Sequence, residues 1–277
     1  MTPNILDCVE LRKHFPVGGT PSLLSAMRGK ARHVPLLHAV DDVNFSIAEG
    51  ESIGLVGESG CGKSTLVRLI TRVLDPTAGD IIFKGRNIGF IPARKFAETQ
   101  FRPKIQMVFQ DPFSSLNPRQ TVGDIIIAGP RAYGEDMKEA KARAADIMRL
   151  VGLNPETMRR FPHEFSGGQR QRIGLARALM LRPDILIADE PVSALDVTVQ
   201  AQVLKLLDDV RQQMNLAMLF ITHDMRVAAQ VCHRVMVMRN GQVVESGPTR
   251  EIFAAPSSDY TRALLAAIPG RGKLAAV

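Results

Sequence analysis

The spacing of apolar and polar positions changes period several times along the chain. Residues 5–15 (ILDCVELRKHF) carry a strand pattern that leads into a turn at Pro16 and Gly18–Gly19, and the stretch from there to Pro35 is polar and basic without clean periodicity. This predicts a strand followed by a surface loop over 16–36. Val43, Phe45 and Ile47 alternate with polar neighbours as a half-buried strand does, and beyond Glu49–Gly50 a short apolar strand covers 52–56. A glycine-rich loop follows, then an amphipathic helix carrying Leu66, Leu69, Ile70 and Val73. Past the Asp75–Pro76 turn the pattern predicts strands at 80–84 and 105–109.

From about Thr121 to Arg160 the period becomes helical, with Ala140, Ala144, Ile147, Met148 and Val151 on one face and charges opposite. Strand patterns resume at 184–188, 217–222, 234–238 and 242–245. A helical segment set between stretches of short apolar strands reads as an insertion into an α/β core. No internal repeat and no low-complexity tract is visible.

Composition narrows the class. Hydrophobic residues make up 45% and aromatics 5% of the 277 residues, with no Trp, so the core is expected to be aliphatic and Met-filled. The longest apolar runs, Leu216–Ile221 and Ala263–Ile268, are six residues each, against the ~20 a membrane-crossing helix requires. Asp7 and Glu10 stand where an export signal would be basic and then apolar, so a cytosolic chain is expected. Three cysteines without metal-clip spacing suit a reducing compartment. A net charge of +7 and a pI near 9.6 suggest an anionic partner. Most of that excess is terminal, with five basic against two acidic residues in 1–38 and four against two in 246–277.

The strongest chemical signal is Gly57-Glu58-Ser59-Gly60-Cys61-Gly62-Lys63-Ser64-Thr65, a complete G-x-x-x-x-G-K-[ST] between a predicted strand and a predicted helix. Glycines let consecutive backbone N–H groups turn toward one phosphate at the positive end of the helix. Lys63 is placed to reach the β- and γ-phosphates of a nucleotide, and the Ser64 hydroxyl to ligate Mg²⁺. The strand ending in Asp189–Glu190 supplies two carboxylates that leave in different directions, Asp189 for the Mg²⁺ shell and Glu190 for a general base on the attacking water. Between these motifs, Phe165-Ser166-Gly167-Gly168-Gln169 opens a further helix with Ser166 as N-cap. Periodicity alone leaves that segment open between a glycine-rich cap and a second anion site.

Taken together these residues resemble the ATP-binding cassette (ABC) ATPases. Ser166–Gln169 looks like that family's signature loop, which in one subunit covers the γ-phosphate held by the phosphate loop of the other. The resemblance implies roles for further positions. Gln110 matches the Q-loop glutamine that contacts Mg²⁺ and water. Ser193-Ala-Leu-Asp196 matches the D-loop at the dimer interface. His223 matches the switch histidine that holds the γ-phosphate and Glu190 together, and Phe15 the aromatic that stacks on adenine. His14-Phe-Pro-Val17, the stretch Gln110-Asp-Pro-Phe-Ser-Ser-Leu-Asn-Pro-Arg119 and Tyr260-Thr-Arg-Ala-Leu-Leu-Ala-Ala-Ile-Pro269 are similar to ATPase subunits of dipeptide and oligopeptide importers, the second of the two such systems carry. No cysteine follows Cys232, so the extension that holds an iron–sulfur cluster in many relatives is not expected.

The expected architecture is an α/β P-loop NTPase core of the ABC type with an antiparallel β-subdomain and an inserted helical subdomain. Its division is 1–110 (first part of the nucleotide-binding core), 111–165 (helical subdomain), 166–245 (second part of the core) and 246–277 (helical tail). The resemblance implies ATP and Mg²⁺ as cofactors, membrane permease subunits and a paralogous or identical ATPase subunit as partners, and indirect contact with an extracytoplasmic solute-binding protein. The expected place is the cytoplasmic face of the cell membrane. The implied function is powering an importer of peptides, or of a related solute such as nickel or glutathione. A DNA-associated ABC ATPase is the rival from another class, but only residues 66–164 separate the phosphate loop from the signature, without heptads or paired cysteines, so no nucleic-acid partner is expected. A P-loop kinase or GTPase leaves Ser166–Gln169 and the Glu190–His223 pair without a purpose. Cys61, inside the phosphate loop, is expected to be a target of thiol reagents that MgATP protects.

Overall fold

Two sheets meet over the phosphate-binding loop. The computed structural model describes residues 3–17, 35–111 and 115–268. Of the loop expected over 16–36, residues 18–34 therefore lie outside the described set, as do 112–114 of the stretch after Gln110, and Pro269. The first sheet is antiparallel, in the order β2-β1-β4-β5, from β1 (Asn4–Pro16), β2 (Leu36–Ala48), β4 (Ala78–Phe83) and β5 (Arg86–Asn87). The second runs β10-β9-β3-β8-β7-β6, built from β3 (Ser52–Val56), β6 (Ile105–Val108), β7 (Ile185–Asp189), β8 (Ala217–Thr222), β9 (Arg234–Arg239) and β10 (Gln242–Pro248). In it β9, β3, β8, β7 and β6 are parallel, and β10 is antiparallel to β9.

The central strands are apolar without alternation because helices or the other sheet cover both their faces, as parallel sheets require. Every residue of β3 and β8 is buried. β2 keeps the predicted alternation, with Val43, Phe45 and Ile47 inward, but it begins at Leu36 and pairs with β1 as far as Pro16. The ends of the expected 16–36 loop are thus strand, and the Val17 N–H donates to the Pro35 carbonyl at 2.8 Å.

The helices are α1 (Lys63–Ile70), α2 (Ala93–Phe96), α3 (Val122–Ala132), α4 (Met137–Leu150), α5 (Gly167–Leu179), α6 (Val197–Met214), α7 (Met225–Val231), α8 (Thr249–Ala254) and α9 (Asp259–Ala266). One prediction fails at the end of α1. Arg72 takes φ 54, its turn is closed by the Val73 and Leu74 N–H groups on the Arg68 carbonyl, and Val73 swings out to 62% exposure instead of joining Leu66, Leu69 and Ile70. The buried Arg72 guanidinium reaches Asp75 at 2.8 Å, which holds this left-handed end in place.

The helical stretch after Thr121 consists of α3, α4 and a 3₁₀ turn at Pro155–Arg159, with Ala140, Ala144, Ile147, Met148 and Val151 all buried as their spacing predicts. It has no core of its own. Val122, Ile125 and Ile126 of α3 belong to one continuous apolar cluster with Ile173 of α5 and Leu186 of β7. β10 continues to Pro248, so the boundary drawn at 245 falls inside a strand, and α8 and α9 form only after it.

Candidate functional site

Strand β3 delivers the chain into the phosphate loop, and the local geometry explains why the glycines are there. Gly62, the N-cap of α1, has φ 114, and a Cβ on it would lie 2.2 Å from the Ala39 carbonyl oxygen. A Cβ on Gly57 would lie 2.2 Å from the Met238 carbonyl oxygen. The loop is therefore clasped between β2 and β9, with the Gly241 N–H donating to the Cys61 carbonyl at 2.8 Å. Lys63 is buried, and its Nζ donates to the Gly57 and Glu58 carbonyls at 2.6 and 2.8 Å, which aims the ammonium back across the loop.

The loop floors a cleft of about 1050 Å³. The structure brings Phe15, all nine residues Gly57–Thr65, Gln110, Asp189, Glu190 and His223 to its wall. Asp189 ends β7, half-buried, and burial pushes its carboxyl above the usual range, with the neighbouring Glu190 adding to the rise and Lys63 and Arg68 opposing it. Glu190 sits at φ 45, its N–H donating to the Ile221 carbonyl at 3.0 Å. That left-handed turn comes directly after the last residue of β7.

One oxygen of Glu190 is the meeting point. Gln110 Nε2 donates to Glu190 Oε2 at 3.2 Å, and His223 Nδ1 lies 3.2 Å from the same oxygen. Gln110 follows β6 and His223 follows β8, the strands on either side of β7, so adjacent strand ends deliver all three side chains. Ligands of open α/β sheets sit at such carboxyl ends. Ser64, Gln110 and Asp189 offer oxygen donors at the cleft wall, a hard set that fits Mg²⁺.

Ser166, Gly167, Gly168 and Gln169 do not reach this cleft. They form the start of α5, where Ser166 Oγ accepts from the Gln169 N–H and the Gln169 side chain accepts from the Ser166 N–H. Ser166 and Gln169 are exposed, while a Cβ on Gly168 would press on Val199 of α6 at 2.5 Å. Asp196, at the end of Ser193–Asp196, caps α6 by accepting from the Val199 N–H at 3.0 Å. This capped helix start lies away from the chain's own cleft.

The ABC transporter family model matches residues 40–193. The chain belongs to the ABC transporter family. This cassette is 48% identical over 255 residues to a putative peptide import ATP-binding protein of Brucella ovis, covering 90% of the chain and 80% of that relative. It is 45% identical over 271 residues to the oligopeptide transport ATP-binding protein OppF of Bacillus subtilis, covering 97% and 84%. Among solved structures it is similar to cbiO1 of Clostridium perfringens, part of the cbiONQ transporter complex (TM-score 0.75, 27% identity, 91% of each chain). It is also similar to a dimeric ATP-binding cassette in a post-hydrolysis state with ADP and Pi (TM-score 0.73, 25% identity, 88% of this chain and 98% of that one).

The fold of the cassette is the expected one, an ABC ATPase core of parallel and antiparallel sheets with helices. Sequence reasoning missed part of the cleft. The Glu58 N–H donates to the Tyr260 hydroxyl at 3.3 Å, Arg239 stacks over the Tyr260 ring at 4.8 Å, and Leu264, one turn later on α9, lines the cleft. The four-residue spacing of Tyr260 and Leu264 on an amphipathic helix was the available signal. No helix among the described residues is long and apolar enough to cross a membrane.

Proposed function

We propose that this cassette binds MgATP in the Phe15-to-His223 cleft, hydrolyses it, and powers the import of peptides. The observation that carries the chemistry is the double hold on Glu190 Oε2 by Gln110 and His223 beside the phosphate loop. A general base must face one direction to order a water for in-line attack, and two partners on one oxygen leave Oε1 to accept that water's proton. Lys63 and the N–H groups of Gly60–Ser64 hold the β- and γ-phosphates, and Phe15 packs against adenine. Ser64, Gln110 and Asp189 would hold Mg²⁺, which would neutralise phosphate charge.

The second helix start, Ser166–Gln169, lies outside the cleft of its own chain. In a head-to-tail pair it closes over the γ-phosphate of the other cassette, with Ser193–Asp196 at the seam. Each site is then complete only in the dimer, so closure follows ATP binding and opening follows hydrolysis. The partner cassette is a paralogue or a second copy. In this reading 1–110 and 166–245 act as the nucleotide-binding core, 111–165 as the helical subdomain that meets the permease on the cytoplasmic face of the membrane, and 246–277 as the tail. The peptide cargo rests on the relatives' names and on the Tyr260–Pro269 segment.

The test is reconstitution of the cassette in liposomes with its cognate permease subunits and solute-binding protein. ATP-dependent uptake of peptide, with ATPase activity stimulated by peptide-loaded binding protein, is the expected outcome. Uptake of nickel or glutathione in place of peptide would reassign the cargo, and salt-sensitive DNA binding at physiological ionic strength would move the cassette to another class.

A further inference from the structure

Outside the nucleotide machinery, β1 and β2 bring together three metal-ligating side chains that no part of ATP hydrolysis uses. His14 and His38 are directly opposite in the β1–β2 ladder, and their rings stack with centroids 3.9 Å apart. Both point at one carboxylate oxygen: His14 Nε2 and His38 Nδ1 are each 3.7 Å from Asp41 Oδ1. The three candidate ligand atoms all lie within 4.8 Å of one another. His14 Nε2 is buried and has no hydrogen-bond partner. An imidazole nitrogen shut away from water without a hydrogen-bond partner is destabilising, and this one is aimed into the cluster.

The backbone builds this arrangement. His38 and Asp41 are three residues apart, an odd spacing that puts them on opposite faces of a regular strand. The register of β1 against β2 slips between Lys13↔Val40 and His14↔His38, adding one residue on β2 at Ala39 and returning both side chains to the face His14 occupies. The bulge is clamped from outside. The Asp41 N–H donates to the Gly241 carbonyl at 2.9 Å, and the Ala39 carbonyl is the group against which Gly62 of the phosphate loop packs. The second oxygen of Asp41 is also engaged, since Gln242 Nε2 donates to Oδ2 at 3.1 Å and leaves Oδ1 toward the imidazoles. An outer hydrogen bond that orients a ligating carboxylate is the usual support of a metal site.

We propose that His14, His38 and Asp41 form a three-ligand site for a divalent ion of the zinc class, through His14 Nε2, His38 Nδ1 and Asp41 Oδ1, with one position open to solvent. Ligand atoms around a tetrahedral zinc ion lie roughly 3.3–3.5 Å apart. The two 3.7 Å spacings to the carboxylate are close to that, and ion binding requires the stacked imidazoles, whose ligand atoms lie within 4.8 Å of one another, to tilt from their 27° interplanar angle so that both ring planes meet at the metal. Two imidazoles and one carboxylate select Zn²⁺, Co²⁺ or Ni²⁺ over Mg²⁺, which takes oxygen ligands and dehydrates reluctantly. The site is therefore chemically separate from the Ser64–Gln110–Asp189 set. His38 also lines the nucleotide cleft, so the ion sits at its rim.

The experiment is a titration of the full chain, purified without a polyhistidine tag, with Co²⁺ followed by its visible absorption and then displaced by Zn²⁺. The expected result is one equivalent with a nitrogen and oxygen spectrum, no thiolate-to-metal charge transfer, displacement by Zn²⁺ and indifference to excess Mg²⁺. H14Q, H38Q and D41N should each weaken binding at least tenfold while circular dichroism and Tm stay near the parent values. Unchanged affinity in folded H14Q, H38Q and D41N overturns the site. A charge-transfer band that disappears in C61S also overturns it, because the ion then belongs to the phosphate-loop thiol. Should a variant fail to fold, the spectrum of the parent chain decides, and absence of saturable Co²⁺ binding overturns the site.

Discussion

His223 Nδ1 and Glu190 Oε2 stand 3.2 Å apart, on an oxygen that Gln110 holds from the other side at the same distance. Glu190 is only 18% exposed whereas His223 is 61% exposed, so the carboxylate is the enclosed member and the imidazole its solvent-side latch. The direct prediction concerns the enclosed member. E190Q preserves size and hydrogen bonding but cannot take a proton, so phosphate release should fall by roughly 10²–10⁴-fold. ATP binding should survive, and size-exclusion chromatography with MgATP should show an accumulated dimer. Hydrolysis within tenfold of the parent would place the base elsewhere.

His223 acts through Glu190, which separates its effect from a binding defect. H223A leaves the phosphate loop and Phe15 untouched and frees one side of the carboxylate. kcat should drop on the order of 10- to 100-fold, less than loss of the base itself, with KM for ATP within about twofold of the parent. A rise in KM at unchanged kcat would mean the imidazole binds nucleotide and does not position the carboxylate.

How far each part of this site could be read from the chain depends on whether its geometry is local. The phosphate loop was legible because Gly57, Gly60, Gly62 and Lys63 carry their requirement in consecutive residues, as did the 3.6-residue period of α4 and the alternation of Val43, Phe45 and Ile47. Val73 broke its helical period because Arg72 turned left-handed to reach Asp75, a tertiary pull on a C-terminus that no spacing records. Tyr260 reached Glu58 across 202 residues, which periodicity cannot foresee. His14, His38 and Asp41 stayed hidden because a one-residue bulge decides which face Asp41 takes, and register is a property of the paired strands. The part played by Ser166–Gln169 came from family resemblance, since that segment completes no site within its own chain.

Gly62 offers a test of how tightly β2 holds the phosphate loop. At φ 114 an L-side chain is strained, and its Cβ would meet the Ala39 carbonyl oxygen at 2.2 Å. G62A should cost roughly 1–3 kcal/mol from the backbone conformation alone, before the clash moves the loop. At about 2–4 °C per kcal/mol for a chain of this size, Tm should fall by several degrees, and a fluorescent ATP analogue should bind at least tenfold more weakly. G60A shares the positive φ, at 83, but meets nothing within 4 Å, so its defect should be smaller on both measures. Equal loss in the two variants would show that φ, not the approach of Ala39, dominates.

The three cysteines differ in a way that thiol labelling can read. Cys8 and Cys232 are buried at 2% and 7% exposure, and burial pushes both thiols far above their ordinary pKa, with Asp7 adding to the rise at Cys8. Neither offers thiolate to an alkylating reagent in the folded chain. Cys61 is equally covered at 7% exposure, but it lines the nucleotide cleft, with its Sγ 3.8 Å from Lys63 Nζ, so opening of the loop alone exposes it. N-ethylmaleimide should therefore modify Cys61 before Cys8 and Cys232, with loss of ATPase activity, because an adduct there obstructs the phosphates. MgATP closes the loop over its ligand and should slow modification at least tenfold, as read by peptide mass mapping over time. C61A should remove the fast-labelled site and leave the slow labelling of Cys8 and Cys232, which follows global unfolding. Equal modification rates with and without MgATP would separate Cys61 from the nucleotide site.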